Sequence, residues 1–456
     1  MKALTEYGGQ CGVEAEKLTI INNDLPDSDN WAAVLVALAQ ALPSMEANGR
    51  VLIIVEARQA SLTRYMTAAE RNDLLDVIEK SGGKCGREAL KILLNGFPKD
   101  HDYTDAFDTE PLSSDKRELL RKIERPDYDP LADAKKHTNL VALDFASYIA
   151  KYASDWRFVD ADGADRDNIE ILIDYDGLGR IDNPVNPNAH HRDDLFGRDE
   201  AEIKDFEEMT TLHGKPREHA ARNYYEKSIK RKTSELEKSG VTIAPLVRMS
   251  LYERIKAAKS VDWFGGCSLT LLRDIHQEGL AAKLACHVQA GTLDLSSNMF
   301  PEQFNIALNR DAARYVFQHH ADFGDFWVLP SHSAQAIKYS LPALLKLGGE
   351  DLDRRILGFN FGEDAVKIMR QSGTFGTEHH AKAVCMPDLT ALLCMIASEK
   401  LDLKVRHVRV KNAGDKGEPL LFEYSDSNLD MKLHHLENLS EPFDISSLVV
   451  QWVSGS

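Results

Sequence analysis

The sequence lacks the cysteine pattern that would indicate a zinc-binding or disulfide-stapled fold. Its six cysteines are scattered along 456 residues and form no Cys-x-x-Cys pair. Zinc ribbons use such pairs, and small secreted folds use regularly spaced cysteines as a disulfide framework. We therefore expect neither kind of site and interpret the cysteines as buried thiols.

Long apolar runs and an excess of positive charge are also missing. No run of about 18 apolar residues is present to span a bilayer, and residues 1–6 lack the apolar core of a signal peptide. Acidic residues outnumber basic ones by 72 to 55, for a net charge of −17, so most of the surface would repel a phosphate backbone. We expect a cytoplasmic protein with no membrane span and no nucleic-acid partner.

What the sequence does contain is a repeated alternation of short apolar runs and helical patterns. Helices are predicted at residues 31–42, 140–153, 311–320 and 388–400. Continuous apolar runs rich in β-branched residues are typical of parallel strands buried on both faces. Such runs occupy residues 17–21, 51–56, 168–174, 260–266, 284–290, 325–329 and 355–359. The alternation predicts an α/β fold with a mainly parallel open sheet and helices on both faces.

The chain length suits one large domain that carries insertions. Residues of about 84–165 are punctuated by prolines between charged stretches, and residues of about 192–250 are dense in charge. Core patterns precede and follow both segments. We predict a single domain over 1–456 in which these two segments are peripheral insertions that partly cover a pocket or make subunit contacts in a homo-oligomer.

Five loops that follow or precede these elements resemble motifs of one enzyme family. In order, they are Ile-Ile-Asn-Asn-Asp-Leu-Pro-Asp-Ser-Asp at 20–29, Asp-Gly-Leu-Gly at 176–179, Gly-Cys-Ser-Leu-Thr-Leu at 266–271, Ala-Gly at 290–291 followed by Gln-Phe-Asn at 303–305, and Pro-Asp at 387–388. They resemble the D-x-D-P-G-x-D-D, D-G-L-G, G-P-L-T-N, E-F-N and H-D motifs of the inosine/uridine-preferring nucleoside hydrolases. The chain thus resembles a divergent member of that family, which implies its α/β fold and an N-ribohydrolase (glycosidase) activity.

The resemblance also implies a calcium site. The family's ligands correspond to Asp24, Asp29, the main-chain carbonyl of Thr270, and Asp388, and the acid matching Asp24 takes a proton from the attacking water. A hard cation prefers six to eight oxygen ligands, which carboxylates from separate loops at one sheet edge can supply. Coordination lowers the pKa of the water, so a carboxylate can act as the base.

The substrate implied by the resemblance is a small-molecule riboside, held by Ser28, Gln303, Asn305 and Asp388. Ser28 and Gln303 replace acids of the family, and both can still hydrogen-bond to sugar hydroxyls. Pro387 stands where the family has a histidine that aids departure of the base, and proline has no proton to give. We therefore expect a preference for a leaving group that departs unaided, such as a cationic nicotinamide. The alternative source of the missing proton is His379 or His380, a few residues upstream.

Two alternatives remain open. The lost acids and the insertions are compatible with a catalytically inactive binding or assembly protein built on the same body. Residues 171–177 also fit the apolar strand and D-x-D-G signature of haloacid-dehalogenase-type phosphatases, with Asp174 as nucleophile and Asp176 as acid. A further, purely local interpretation of residues 27–29 is an N-cap for the helix predicted to follow.

Overall fold

The computed structural model describes the core of the chain and leaves gaps between its parts. The described residues are 17–23, 50–56, 169–175, 214–236, 242–294, 303–335, 386–397, 403–411 and 419–436, with single residues and short stretches elsewhere. All structural statements below concern these residues.

Twelve strands are described in this part of the chain. They are β1 (Lys17–Asn23), β2 (Arg50–Glu56), β3 (Ile169–Asp174), β4 (Thr242–Pro245), β5 (Ser260–Gly266), β6 (Leu284–Gln289), β7 (Asp325–Leu329), β8 (Tyr339–Ser340), β9 (Ala383–Val384), β10 (Lys404–Val410), β11 (Phe422–Ser425) and β12 (Met431–His435).

The helices connect these strands. They are α1 (Gly214–Leu236), α2 (Arg248–Ala257), α3 (Thr270–Gln277), α4 (Phe304–Leu308), α5 (Arg310–Gln318), α6 (Ser331–Gln335) and α7 (Pro387–Ala397), with short 3₁₀ turns at Ala281–Lys283 and His320–Asp322. None of the described helices is both long enough and apolar enough to cross a bilayer.

Ten of the described strands form one sheet in the order β11-β10-β12-β7-β6-β5-β1-β2-β3-β4. Every neighbouring pair from β12 to β4 is parallel, and β10 pairs antiparallel with both β11 and β12. This confirms the predicted α/β class with a mainly parallel sheet. The strands β8 and β9 form a separate antiparallel pair.

The central strands are buried on both faces of the sheet. Alternate side chains point to opposite faces, and Val51, Leu52, Ile53 and Ile54 of β2 are all buried. On one face, here called the α2–α3 face, Leu52 and Ile54 belong to a core cluster with residues of α2, α3 and α5. The opposite face is called the α7 face, because α7 lies outside that cluster and packs against β5 and β6.

The predicted strands are confirmed to within two residues wherever they fall on described residues, except that 355–359 lies outside them. The helices predicted at 311–320 and 388–400 are α5 and α7, and the described positions from 139 to 147 are helical. The short strand β4 and the antiparallel strands β10 to β12 were not predicted. In β10 to β12, charged or polar side chains interrupt the apolar ones, and β4 is only four residues long. The hydrophobic pattern of these strands is therefore weak.

The segment predicted as a second insertion supplies an edge strand. β4 lies within 192–250 and pairs only with β3, at the end of the ten-strand order. Lys232 of α1 forms an ion pair of 3.2 Å with the buried Asp144, so this segment also contacts a helical part of the first predicted insertion. The division into one domain with two insertions stays a prediction.

Candidate functional site

Buried polar residues collect at the carboxyl edge of the sheet. Because parallel strands end at the same edge, side chains far apart in the sequence meet there, and α/β proteins bind ligands outside this edge. β1, β2, β3 and β6 each finish on polar residues that are almost fully buried, namely Asn22, Asn23, Glu56, Asp174 and Gln289. This edge is therefore the candidate functional site.

Glu56 is the centre of a hydrogen-bonded cluster on the α2–α3 face. Its Oε1 accepts a hydrogen bond from Asn22 Nδ2 at 3.0 Å, and its Oε2 lies 2.7 Å from the hydroxyl of Ser268. Burial, followed by repulsion from the Asp174 carboxylate, raises the pKa of Glu56 to about 8. Glu56 thus holds a proton at neutral pH, which removes one negative charge from a site with two adjacent acids.

Asp174 is compensated by a cation from α2. Arg248, the first residue of α2, places Nη1 2.8 Å from Asp174 Oδ2 and Nε 3.4 Å from Asp274 Oδ2. The Asp174 side chain is only 2% exposed. A phosphatase nucleophile needs open approach to a phosphorus atom, so this ion pair disfavours the phosphatase alternative. Its second acid, Asp176, lies outside the described residues.

Thr270 lies at the same edge, as the first residue of α3. Its Oγ1 is 3.0 Å from Ser268 Oγ and accepts a hydrogen bond from Asn309 Nδ2 at 2.9 Å. The Oδ1 of Asn309 in turn caps α5 by accepting from the main-chain N–H of Ala312. The start of α3 is thereby tied to the start of α5. The assignment of the Thr270 carbonyl as a metal ligand stays a prediction.

Gln303 and Asn305 converge on the end of β6, on the α7 face. Asn305 Nδ2 donates to the main-chain oxygen of Gln289 at 2.8 Å and to its Oε1 at 2.9 Å. Gln303 Nε2 donates to the same Oε1 at 3.3 Å, and Gln303 Oε1 accepts from the N–H groups of Gly291 and Ile306. Gln303 is thus the N-cap of α4. The structure brings these two predicted sugar-binding residues together. The amide groups of both side chains form hydrogen bonds with other parts of the protein.

Asp388 is the second residue of α7 and is buried. Its helix packs against β5, β6 and α6, so Asp388 lies on the α7 face of the sheet. Pro387 opens the helix, a position at which its missing N–H costs nothing.

The remaining predicted ligands follow directly after β1. Asp24, Ser28 and Asp29 lie outside the described residues. In the described part of the chain, no group of three or more histidine, cysteine, aspartate or glutamate side chains is placed to hold a metal ion. The calcium site therefore stays a prediction. The donor types would suit it, because all four proposed ligands are oxygens.

Three residues at this edge were missed from the sequence: Glu56, Gln289 and Arg248. Glu56 and Gln289 are the last residues of two apolar strands. A polar residue at the end of an apolar run was the sequence signal that could have indicated them as site residues. Arg248 carried no signal, since it lies in a segment rich in charge. Its role depends on α2 starting beside the end of β3.

Comparisons with known proteins found solved structures that resemble this chain but no protein that matches it in sequence. No family model matches the chain, and no curated protein sequence matches it. A plant nucleoside hydrolase is similar with 12% identity and a TM-score of 0.45, over 97% of this chain and 100% of that chain. An inosine-guanosine nucleoside hydrolase has 11% identity and a TM-score of 0.41, over 96% and 99%. A type III effector protein complexed with ADP-ribose has 8% identity and a TM-score of 0.42, over 96% and 93%. Each likeness concerns the path of the chain alone.

Proposed function

We propose that the protein hydrolyses the N-ribosidic bond of a small-molecule riboside at the carboxyl edge of its sheet, using a divalent cation. The observation that carries the proposal is the position of β1. It lies between β5 and β2, so its last residue, Asn23, is opposite Gly266, shortly before α3 begins with Thr270. The acidic segment 24–29 follows Asn23 in the sequence. The motif order in the sequence supports the same arrangement.

The residues divide into two proposed roles. Asp24, Asp29, Asp388 and the Thr270 carbonyl would hold a hard cation, for which calcium fits the oxygen set. When bound, the cation would lower the pKa of the attacking water. Asp24 would take a proton from the attacking water, and Asp388 would also orient the sugar.

The leaving group receives no help from the start of α7. Pro387 has no proton to give, and the proton on Glu56 lies on the α2–α3 face, whereas α7 packs on the opposite face. General acid help is worth about 10²–10⁴-fold in rate. The proposed substrate is therefore a riboside whose base departs unaided, such as nicotinamide riboside, with ordinary purine nucleosides as poor substrates.

The test is turnover of nicotinamide riboside with calcium by Asp24→Asn. This variant keeps an oxygen at position 24 but loses the base, so we expect a fall in kcat of about 10²-fold or more with riboside binding retained. Asp262→Asn is the matched control, because Asp262 pairs with Lys17 at the opposite end of the neighbouring strands. Full activity of Asp24→Asn would reject the mechanism.

A binding protein without turnover is the second candidate. One observation favours it: the side chain of Gln303 is engaged in capping α4 and in holding Gly291, so its contacts with a sugar would compete with its structural role. A riboside that raises the melting temperature of the wild type, with no product formed in the presence of calcium, would support this candidate over the enzyme.

A further inference from the structure

Asn23 is a buried amide whose polar atoms are not used by the described protein. It is the last residue of β1 and is fully buried. Within the described part of the chain, neither its Nδ2 nor its Oδ1 has a hydrogen-bond partner. Buried polar groups are nearly always paired in folded proteins, so an orphaned amide indicates either a ligand or a trapped water.

The pleat of β1 places Asn23 on the same face of the sheet as the other candidate ligand-binding residues. Consecutive strand residues face opposite ways, so Asn22 points to the α2–α3 face with Glu56, and Asn23 points to the α7 face. Gln289 and α7, with Asp388 in its first turn, are on that face. Asn23 is paired with Gly266 of β5, which has no side chain. No side chain of Gly266 therefore stands between the amide and a group bound on that side.

The chemistry of the amide selects among ligands. A bare cation would satisfy Oδ1 and leave both hydrogens of Nδ2 unsatisfied. A hydroxyl group accepts as well as donates, so two adjacent hydroxyls can accept from Nδ2 and donate to Oδ1 at the same time. This pairing matches the vicinal diol of a ribose.

We propose that Asn23 binds the vicinal hydroxyl groups of the riboside and thereby selects ribosides over deoxyribosides. This inference rests on the proposed function, because it names a sugar contact of the same site. It adds a residue that lies within the first of the five motifs, at a position to which the family resemblance assigned no role.

The experiment combines two variants of the full-length protein with two measurements. Asn23→Leu replaces the amide with an apolar side chain of similar size, and the control Asn22→Leu makes the same change one residue earlier. Without ligand, we expect Asn23→Leu to keep or raise the melting temperature by about 1–4 °C, since it removes an unsatisfied amide. Asn22→Leu should lower it, because it deletes the hydrogen bond to Glu56.

Binding is then measured by calorimetry with nicotinamide riboside and with its 2′-deoxy analogue, both with calcium chloride. Every protein in this measurement, the wild-type reference included, carries Asp24→Asn, so that the bound riboside is not hydrolysed. The wild type should prefer the riboside, and Asn23→Leu should bind it about 10-fold more weakly and lose the preference. A melting temperature lowered as in Asn22→Leu would make Asn23 structural and overturn the inference. Unchanged riboside binding by Asn23→Leu would also overturn it, with a water as the partner of the amide. If the wild type binds neither compound, the proposed function itself fails.

Discussion

At the scale of single residues, Glu56 links folding to pH. Its pKa rises from an ordinary 4.5 to about 8 in the folded protein, mainly through burial and then through Asp174. The folded state therefore binds this proton more tightly than the unfolded state. The stabilisation is complete below about pH 4.5 and is lost as the pH rises through 8.

The substitution Glu56→Gln tests this linkage. The glutamine amide reproduces the protonated acid, accepting from Asn22 and donating to Ser268, but it does not ionise. We expect its melting temperature to exceed that of the wild type by an amount that grows from pH 5 to pH 9. Glu423→Gln, which changes a more exposed acid paired with Arg409, should run parallel to the wild type. Parallel curves for Glu56→Gln as well would mean that Glu56 is ionised in the folded state at neutral pH.

At the scale of elements, the loop after β6 packs tightly against the antiparallel strand β11. Gly291 has a φ of 90°, in the left-handed region that favours glycine. A Cβ added there would overlap the ring of Phe422, and the main-chain N–H of Phe422 donates to the oxygen of Thr292 at 2.8 Å. This contact holds the end of β6, and with it the cluster of Gln289, Gln303 and Asn305, in one position.

Gly291→Ala should therefore be strongly destabilising. We expect a loss of about 2–5 kcal/mol in the free energy of unfolding, from backbone strain together with overlap in a packed interior. Gly279→Ala is the matched control, because Gly279 has a φ of 73° but nothing within 4 Å of an added Cβ. It should lose only about 1–2 kcal/mol. Urea unfolding measures both, and equal losses would show that Phe422 moves aside freely.

At the scale of the whole molecule, the segment predicted as a second insertion supplies the cation that pairs with a buried carboxylate of the sheet. Arg248 lies within the segment predicted as an insertion, yet it pairs with Asp174 of β3 and lies near Glu56 of β2. Three residues separated by more than 70 positions in the sequence thus depend on one another. The edge strand β4 and α2 are therefore part of the cooperative core.

Arg248→Met is expected to destabilise the protein by about 3–5 kcal/mol, since Asp174 would remain buried without its cation. Arg254→Met is the control on the same helix, because Arg254 pairs with Glu170 of the same strand at partly exposed positions. Its loss should be about 0–1 kcal/mol. Chemical unfolding curves give the free energy of unfolding of both variants. If Arg248→Met loses as little of it as Arg254→Met does, Asp174 does not carry a buried charge.

The sequence alone was sufficient for the parts of this protein that depend on local pattern. Continuous apolar runs such as that of β2 determine strands buried on both faces, because each residue must find apolar neighbours above and below the sheet. The alternation of these runs with helical patterns predicted the mainly parallel sheet. The motif order predicted a site formed by loops at one sheet edge, and the site residues stay a prediction. Strands with alternating charge, such as β10 (Lys404–Val410), were missed because this local signal is weak there.

Only the tertiary structure decided which polar residues meet and on which face. The neighbours Asn22 and Asn23 look alike in the sequence, but the pleat directs the first to Glu56 and the second to the α7 face. There, no described residue forms a hydrogen bond with the Asn23 side chain. Glu56, Asp174 and Arg248 come together through the strand order and the start of α2. Hydrophobic periodicity acts over about ten residues, whereas the pKa of Glu56 and the pairing of Asp174 depend on burial and on charges brought close by the whole fold.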